Sequence, residues 1–281
     1  MTSHTTVPSV PPVSSLGRVV RGAGPGLLLA HGAGGGIDPN YGPLMDGLAA
    51  HHTVVGPDFP GTGRTPRATS PLSLDGLADA LVATAVEEGL ETFAVSGYSL
   101  GGPVAVRAAT RHPDRVTALV LTASFAAPNP RLRLAVRLWR DLLDSGDAGR
   151  LAAFGLLVGM GAPTLDGLGA DDVDAALRGA AAGVPAGTAD HLDLIDAVDV
   201  RDDLPRLTVP TLVVSTTQDS LVTPALHREL ADAIPGARLT GLASGHLPFA
   251  ERPAEWLEII LGFLAAAGRV PAGAAGRGLA P

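Results

Sequence analysis

Residues 94–103, AVSGYSLGGP, place Ser99 between glycines directly after an apolar run. Gly97 to Gly101 fit the pattern G-x-S-x-G, and Pro103 is tolerated in the first turn of the helical pattern that follows. A strand, a sharp turn and a helix in this order are typical of a nucleophile elbow. The alternative is a serine that only caps the helix, with glycines for close packing.

Similar apolar runs recur along the chain and alternate with helical patterns. They predict strands at 26–32, 52–58, 92–97, 115–123, 211–217 and 237–242, and helices at 74–88, 101–111, 224–233 and 253–266. The runs are continuous rather than alternating, which is typical of buried parallel strands. The sequence therefore predicts an α/β fold with a mostly parallel central sheet and helices on both faces.

This alternation is interrupted once, between the fourth and fifth strand runs, by helical patterns without a convincing strand. We interpret the interval as an inserted helical cap, and ordinary crossover helices are the alternative. The predicted organisation is a flexible arm at 1–15, a core at 16–128 and 201–267, a helical cap at 129–200 and a flexible tail at 268–281.

Composition excludes several classes of chemistry. The chain has 281 residues, 46% of them hydrophobic, and a net charge of −8, which argues against a nucleic-acid surface. It has neither cysteine nor lysine, so thiolate catalysis, cysteine-ligated metals and Schiff bases are excluded. The sequence has no signal-peptide pattern and no apolar stretch long enough to cross a bilayer. We therefore expect a cytoplasmic protein with no membrane partner.

Four further motifs accompany the elbow. They are HGAGGG (31–36), PDFPGTGRT (57–65), TTQDSLVTP (216–224) and GLASGHLPFAERP (241–253). With these motifs in this order, the chain resembles the α/β-hydrolase family over nearly its whole length. Members usually carry an antiparallel hairpin before the strand that precedes the H-G loop. Here only SSLGRVVRGAGPG is available for it, so we expect that hairpin to be short or incomplete.

A serine nucleophile needs a base, and the base needs an acid that orients it. His246 follows the last strand in a glycine-flanked loop and is the predicted base. Asp219 lies directly beyond the strand at 211–217 and is the predicted acid, with the aspartate cluster at 193–203 as the alternative. The remaining histidines outside the H-G loop, including His191 in the insertion and His227 on a helix, are expected to be solvated.

The resemblance also implies an oxyanion hole formed by the backbone N–H groups of Ala33 and Leu100, with His31 holding the loop. Gly34, Tyr98 and Trp139 are the predicted substrate-binding residues. The apolar residues of the insertion are expected mainly to pack on the core, with a minority lining the pocket. The apolar residues singled out in the insertion, without division between the two roles, are Leu132, Leu134, Val136, Leu138, Trp139, Phe154, Leu156, Leu157 and Met160.

A serine at position 99 indicates acyl transfer to water through an acyl-enzyme. The predicted substrate is a small to medium, largely apolar carboxylic ester, lactone or thioester. We predict neither a metal nor a cofactor, because no ligand cluster or dinucleotide fingerprint is present. The partner is a small molecule, and the chain is expected to be a monomer or homodimer. Two alternatives stay open: a lyase, cyclase, acyltransferase or cofactor-free haloperoxidase with the same triad, or a ligand-binding receptor.

Overall fold

The computed structural model describes residues 16–181 and 183–268 of the chain. The predicted arm at 1–15 and all of the predicted tail except Gly268 therefore lie outside the described residues. In the described part, no helix is both long enough and apolar enough to cross a membrane.

Seven strands form a single sheet with the order β1-β3-β2-β4-β5-β6-β7. The strands are β1 Arg18–Arg21, β2 Gly26–Ala30, β3 Thr53–Pro57, β4 Phe93–Tyr98, β5 Val116–Thr122, β6 Thr211–Thr216 and β7 Arg238–Leu242. β1 is antiparallel to β3, and all other neighbours are parallel. The mostly parallel sheet is thus confirmed. In the described residues the expected hairpin is reduced to the one antiparallel edge strand β1.

Helices cover both faces of this sheet. They are α1 Ile37–Ala49, α2 Leu74–Glu87, α3 Gly101–Arg111, α4 Pro130–Ser145, α5 Ala148–Gly159, α6 Ala162–Asp166, α7 Ala170–Ala181, α8 Thr188–Ala197, α9 Pro224–Ala233, α10 Pro248–Glu251 and α11 Pro253–Ala267. The apolar sides of α1 and α11 pack on one face with Trp256 fully buried. The helices α2, α3 and α9 pack on the other face.

The strand β7 differs from its prediction in burial. It was expected to be a buried run, but most of its side chains are exposed or half-buried. The reason is its position at the edge of the sheet, where it pairs with β6 alone. The interval between β5 and β6 contains α4 to α8 and no strand among its described residues. We refer to α4–α8 as the inserted helices.

Candidate active site

Ser99 occupies a strained turn between β4 and α3. Its φ of 53° lies in the left-handed region, which a non-glycine residue rarely adopts. A Cβ on Gly97 would lie 2.4 Å from the carbonyl oxygen of Gly101, and a Cβ on Gly101 would lie 2.0 Å from that of Ala30. Only glycine therefore fits at both positions, and the turn presents the serine hydroxyl at the carboxyl edge of the sheet.

Two loops at the same edge bring His246 and Asp219 to this hydroxyl. Nε2 of His246 lies 3.0 Å from Oγ of Ser99, and Nδ1 of His246 lies 2.7 Å from Oδ2 of Asp219. A carboxylate can only accept, so Nδ1 carries the proton and Nε2 is left to accept from the serine. All three side chains are buried. The structure thus brings the three residues together in the order that general-base activation of Ser99 requires.

Asp219 is held by donors on both of its oxygens. Oδ1 accepts from the backbone N–H groups of Leu221 and Val222, at 2.9 and 2.8 Å. Oδ2 accepts from His246 and from the hydroxyl of Thr216, which is 2.9 Å away. Four donors of this kind fix the orientation of the carboxylate.

Of the two predicted oxyanion donors, Ala33 lines the pocket beside Ser99, and Leu100 directly follows Ser99 in the chain. In the described residues, the backbone N–H groups of Ala33 and Leu100 donate to no carbonyl and no side chain. Leu100 also lies at the N-terminus of α3, where the helix dipole favours negative charge. Nδ1 of His31 donates to the carbonyl of Gly32, and its Nε2 accepts from the N–H of Phe59 at 2.8 Å. Burial lowers the pKa of His31 to about 4, so its ring is neutral at neutral pH.

A cavity of about 320 Å³ adjoins Ser99 and His246. The predicted residues Gly34, Tyr98 and Trp139 all line it, although the hydroxyl of Tyr98 donates to the carbonyl of His246 at 2.8 Å. Among the described lining residues there is no aspartate, glutamate or arginine, and His246 is the only histidine. The chemistry of this wall suits an uncharged, apolar group.

The inserted helices supply much of the pocket wall. Among the apolar residues singled out in the sequence, those lining the cavity are Leu132, Val136, Trp139, Phe154 and Leu156. Leu134, Leu138 and Leu157 are exposed instead, with 65%, 47% and 67% of their surface accessible. The division follows the helix period, because one face of α4 and α5 points to the cavity and the other to solvent.

A buried carboxylate that the sequence did not indicate connects the inserted helices to the His246 loop. Glu251 accepts from the N–H of Gly161 and the hydroxyl of Thr164, both in the insertion, at 3.2 and 2.6 Å. It also accepts from the N–H of Gly245, the neighbour of His246, at 2.9 Å. Glu251, five residues after His246, carries no sequence signal for this role, because its partners Gly161 and Thr164 are distant in the chain.

His191 and His227, which were expected to be solvated, are buried, and so is Asp203 of the alternative acid cluster. His191 and His227 have no exposed surface, and Asp203 is 7% exposed. His191 bonds to backbone atoms of two core loops, and His227 packs with Nδ1 3.0 Å from Oγ of Ser215. Asp203 pairs with Arg107 at 2.9 Å. The expectation of solvation was wrong because α8, α9 and the segment before β6 pack inward on loops remote in sequence.

His227 also lies behind the predicted acid. Its Nε2 is 4.0 Å from Oδ2 of Asp219 and has no hydrogen-bond partner in the described residues. Burial lowers the pKa of His227 to about 4. The ring is therefore neutral at neutral pH, and it shields the carboxylate from water without adding a charge.

Comparison with known proteins gives a consistent result. The model of the "Alpha/beta hydrolase family" matches residues 27–259. The pyrrolizixenacetamide deacetylase of Xenorhabdus hominickii is 32% identical over 87% of this chain and 92% of its own length. A pimeloyl-acyl-carrier-protein methyl ester esterase of Neisseria meningitidis is 32% identical over 73% of this chain and 80% of its own.

The solved structure of the enol-lactonase from Burkholderia xenovorans has a TM-score of 0.78 to this chain. It is 25% identical, and the match covers 89% of this chain and 96% of that one. The family model spans most of the chain, and the deacetylase is matched over nearly its full length. On this evidence the chain belongs to the alpha/beta hydrolase family.

Proposed function

We propose that this protein is a serine hydrolase that cleaves a small to medium, largely apolar carboxylic ester, lactone or thioester. The observation that carries the proposal is the hydrogen-bonded series Ser99, His246 and Asp219 at the edge of an apolar cavity. The named relatives release an acyl group from nitrogen or oxygen, which is the reaction class that this series suits.

In the proposed reaction, Oγ of Ser99 attacks the acyl carbon while Nε2 of His246 accepts the hydroxyl proton. The carbonyl oxygen becomes an oxyanion, which the N–H groups of Ala33 and Leu100 stabilise. His246 then returns the proton to the leaving alcohol or thiol as the bond to it breaks, and Ser99 retains the acyl group. Water attacks this acyl-enzyme by the same steps, which releases the acid and restores Ser99.

The dimensions and chemistry of the cavity support the substrate class. About 320 Å³ lies at the lower end of the usual range for small-molecule sites. A charged acyl group would have to leave water without a partner of opposite charge, because the described lining offers none. The inserted helices form the outer wall, and we propose that they act as a cap over the site.

The test is a panel of p-nitrophenyl esters, lactones, thioesters and N-acetyl amides of graded acyl length, with the Ser99→Ala protein as the blank. Turnover that requires Ser99 and favours uncharged, medium acyl groups supports the proposal. A serine-directed fluorophosphonate should add one adduct, which peptide mapping assigns to Ser99. Label on another serine, or equal turnover by the blank, contradicts it.

Product analysis separates hydrolysis from the other reactions of this fold. Incorporation of ¹⁸O from labelled water into the released acid identifies hydrolysis. Transfer of the acyl group to an added alcohol or thiol in preference to water identifies an acyltransferase. A single slow turnover with a persisting adduct identifies a receptor.

A further inference from the structure

His191, on the inserted helix α8, lies outside the series Ser99, His246 and Asp219 and has no exposed surface. Its Nδ1 lies 3.2 Å from the backbone nitrogen of Gly34, and its Nε2 lies 3.1 Å from the carbonyl oxygen of Pro60. A backbone N–H can only donate and a carbonyl can only accept. The ring is therefore neutral, with its proton on Nε2 and a free lone pair on Nδ1 that accepts from Gly34.

This contact completes the fixation of Ala33. The carbonyl of Gly32 accepts from Nδ1 of His31 at 2.8 Å, and the C=O and N–H of a trans peptide point in opposite directions. His31 thereby turns the N–H of Ala33 away from itself. His191 holds the next peptide through the N–H of Gly34. With both flanking peptide planes held, the backbone dihedrals of Ala33 have little freedom.

The loop needs such external support because its own sequence supplies little. Gly32, Gly34, Gly35 and Gly36 surround Ala33, and Gly34 has a φ of 62°. Glycine populates many conformations, so a run of this kind loses much entropy when it is ordered. A hydrogen-bond partner on a separate, fixed element offsets that loss.

The helix α8 is such an element. Its preceding residue Gly187 donates to the carbonyl of Gly61 at 2.9 Å, and Asp190 pairs with Arg67 through two hydrogen bonds of 2.7 and 2.8 Å. Its apolar side, including Leu192 and Ile195, is buried in the core. His191 therefore projects from a firmly attached base.

We propose that His191 is a positioning residue of the oxyanion hole, which acts by accepting the Gly34 N–H at Nδ1 and so keeps the Ala33 N–H aimed at the reacting carbonyl. The inference rests on the proposed function. It means that the inserted segment takes part in stabilising the transition state as well as forming the pocket wall.

Two amide variants separate the two hydrogen bonds that the His191 ring makes. His191→Asn places a carboxamide oxygen near the position of Nδ1 and keeps the acceptor for Gly34, but it cannot reach Pro60. His191→Gln reaches the position of Nε2 and can donate to Pro60, but it leaves Gly34 without an acceptor. Each variant therefore keeps one of the two hydrogen bonds and loses the other, and only the glutamine variant loses the bond that the proposal concerns.

We expect His191→Gln to lower kcat by about 10- to 100-fold with KM within about twofold, less than the loss of an oxyanion donor itself. His191→Asn should keep kcat within about threefold of the wild type. Acylation and deacylation both form an oxyanion, so kcat falls whichever step limits the rate. A trifluoromethyl ketone, which forms a tetrahedral adduct, should lose affinity for the glutamine variant by a similar factor.

Equal kcat for His191→Gln and wild type, or equal losses in both variants, would overturn the inference. Melting temperatures by circular dichroism accompany each measurement. If the glutamine variant does not fold, the asparagine variant decides: retained kcat supports the inference, and a lost kcat in a folded protein overturns it. Absence of Ser99-dependent turnover in the wild type is a different result, which contradicts the proposed function instead.

Discussion

At the scale of single residues, the donors around Asp219 determine what a conservative replacement would do. Oδ1 faces two backbone N–H groups, from Leu221 and Val222, that cannot reverse their polarity. In an Asp219→Asn variant the amide oxygen must take that side, so the NH₂ group points to His246. Nδ1 of His246 then has to accept, and its proton moves to Nε2, where it faces Ser99.

We therefore expect Asp219→Asn to lose at least about 10²-fold in kcat. The matched controls are Asp199→Asn and Asp202→Asn, which replace exposed aspartates of the alternative cluster and should stay within about threefold of wild type. The measurement is kcat on one activated ester, with folding checked by circular dichroism. An active Asp219→Asn protein together with an inactive control would show that the catalytic acid is the aspartate replaced in that control.

The sequence indicated Ser99, His246 and Asp219 because each directly follows a strand or opens a helix, and such positions are visible in the apolar pattern. It did not indicate the burial of His191, His227 and Asp203, because each is buried by elements distant in the chain. His191, for example, is 157 residues from its partner Gly34. A lone histidine on a helix gives no sign of such a partner.

At the scale of elements, the positions of β2 to β7 were predicted well because Gly, Pro or charged residues bound most of their apolar runs. The edges of these six strands differ from the predicted ones by at most two residues, whereas β1 was not predicted as a separate strand. The helical period of α4 likewise predicts which of its residues share a face, as the burial of Leu132 and Val136 and the exposure of Leu134 show. Which face turns to the pocket could not be predicted, because it depends on how α4 packs against α5 and α8.

Trp139 on α4 provides a prediction at this scale. It lines the cavity and is the only tryptophan of the insertion, so Trp139→Ala should enlarge the acyl pocket. We expect the preference in kcat/KM to move toward longer or bulkier acyl chains, with a change of about tenfold between short and long esters. The measurement is kcat/KM on p-nitrophenyl esters from acetate to decanoate.

The neighbouring Leu138 is 47% exposed and does not line the cavity, so Leu138→Ala is the control and should leave the preference unchanged. A uniform loss across all esters, together with a lower melting temperature for Trp139→Ala, would show that the ring only packs the insertion on the core.

Placement of the cap boundaries at 129 and 200, like the cytoplasmic location and the oligomeric state, stays a prediction.

At the scale of the whole molecule, buried histidines make stability depend on pH. Burial lowers the pKa of His31, His191 and His227, to about 4 for the first and the last. In the unfolded chain such rings bind a proton near pH 6.5. Between these values the unfolded state binds more protons, so the free energy of unfolding falls as the pH is lowered from about 6.5 to about 4.

Carboxylates act in a lower pH range. Hydrogen bonds from arginine side chains lower the pKa of Asp79, Asp190 and Asp199. The stability that these pairs contribute is present above the ordinary carboxyl pKa of about 3.9 and is lost only below it. Loss of stability between pH 6.5 and 4.5 therefore reports the histidines rather than the aspartates.

A His227→Asn variant tests this account, because asparagine keeps a polar group beside Ser215 and does not titrate. The decrease in unfolding free energy between pH 7 and pH 5 should become smaller by about 1–2 kcal/mol relative to wild type. Urea unfolding at the two pH values measures it, and His51→Asn, at an exposed ring, serves as the control. An unchanged difference for His227→Asn would contradict the assignment.

The left-handed backbone of Ser99 predicts a difference in stability between two replacements of this residue. A φ of 53° costs a residue with a Cβ about 1–2 kcal/mol, and glycine avoids that cost. Ser99→Gly should therefore unfold at a temperature a few degrees above that of Ser99→Ala, and we expect both variants to be inactive. Differential scanning calorimetry of the two proteins measures this difference. Equal melting temperatures would refute the prediction. Stability alone would favour glycine at this position, so the serine is accounted for by the proposed role of its hydroxyl rather than by the fold.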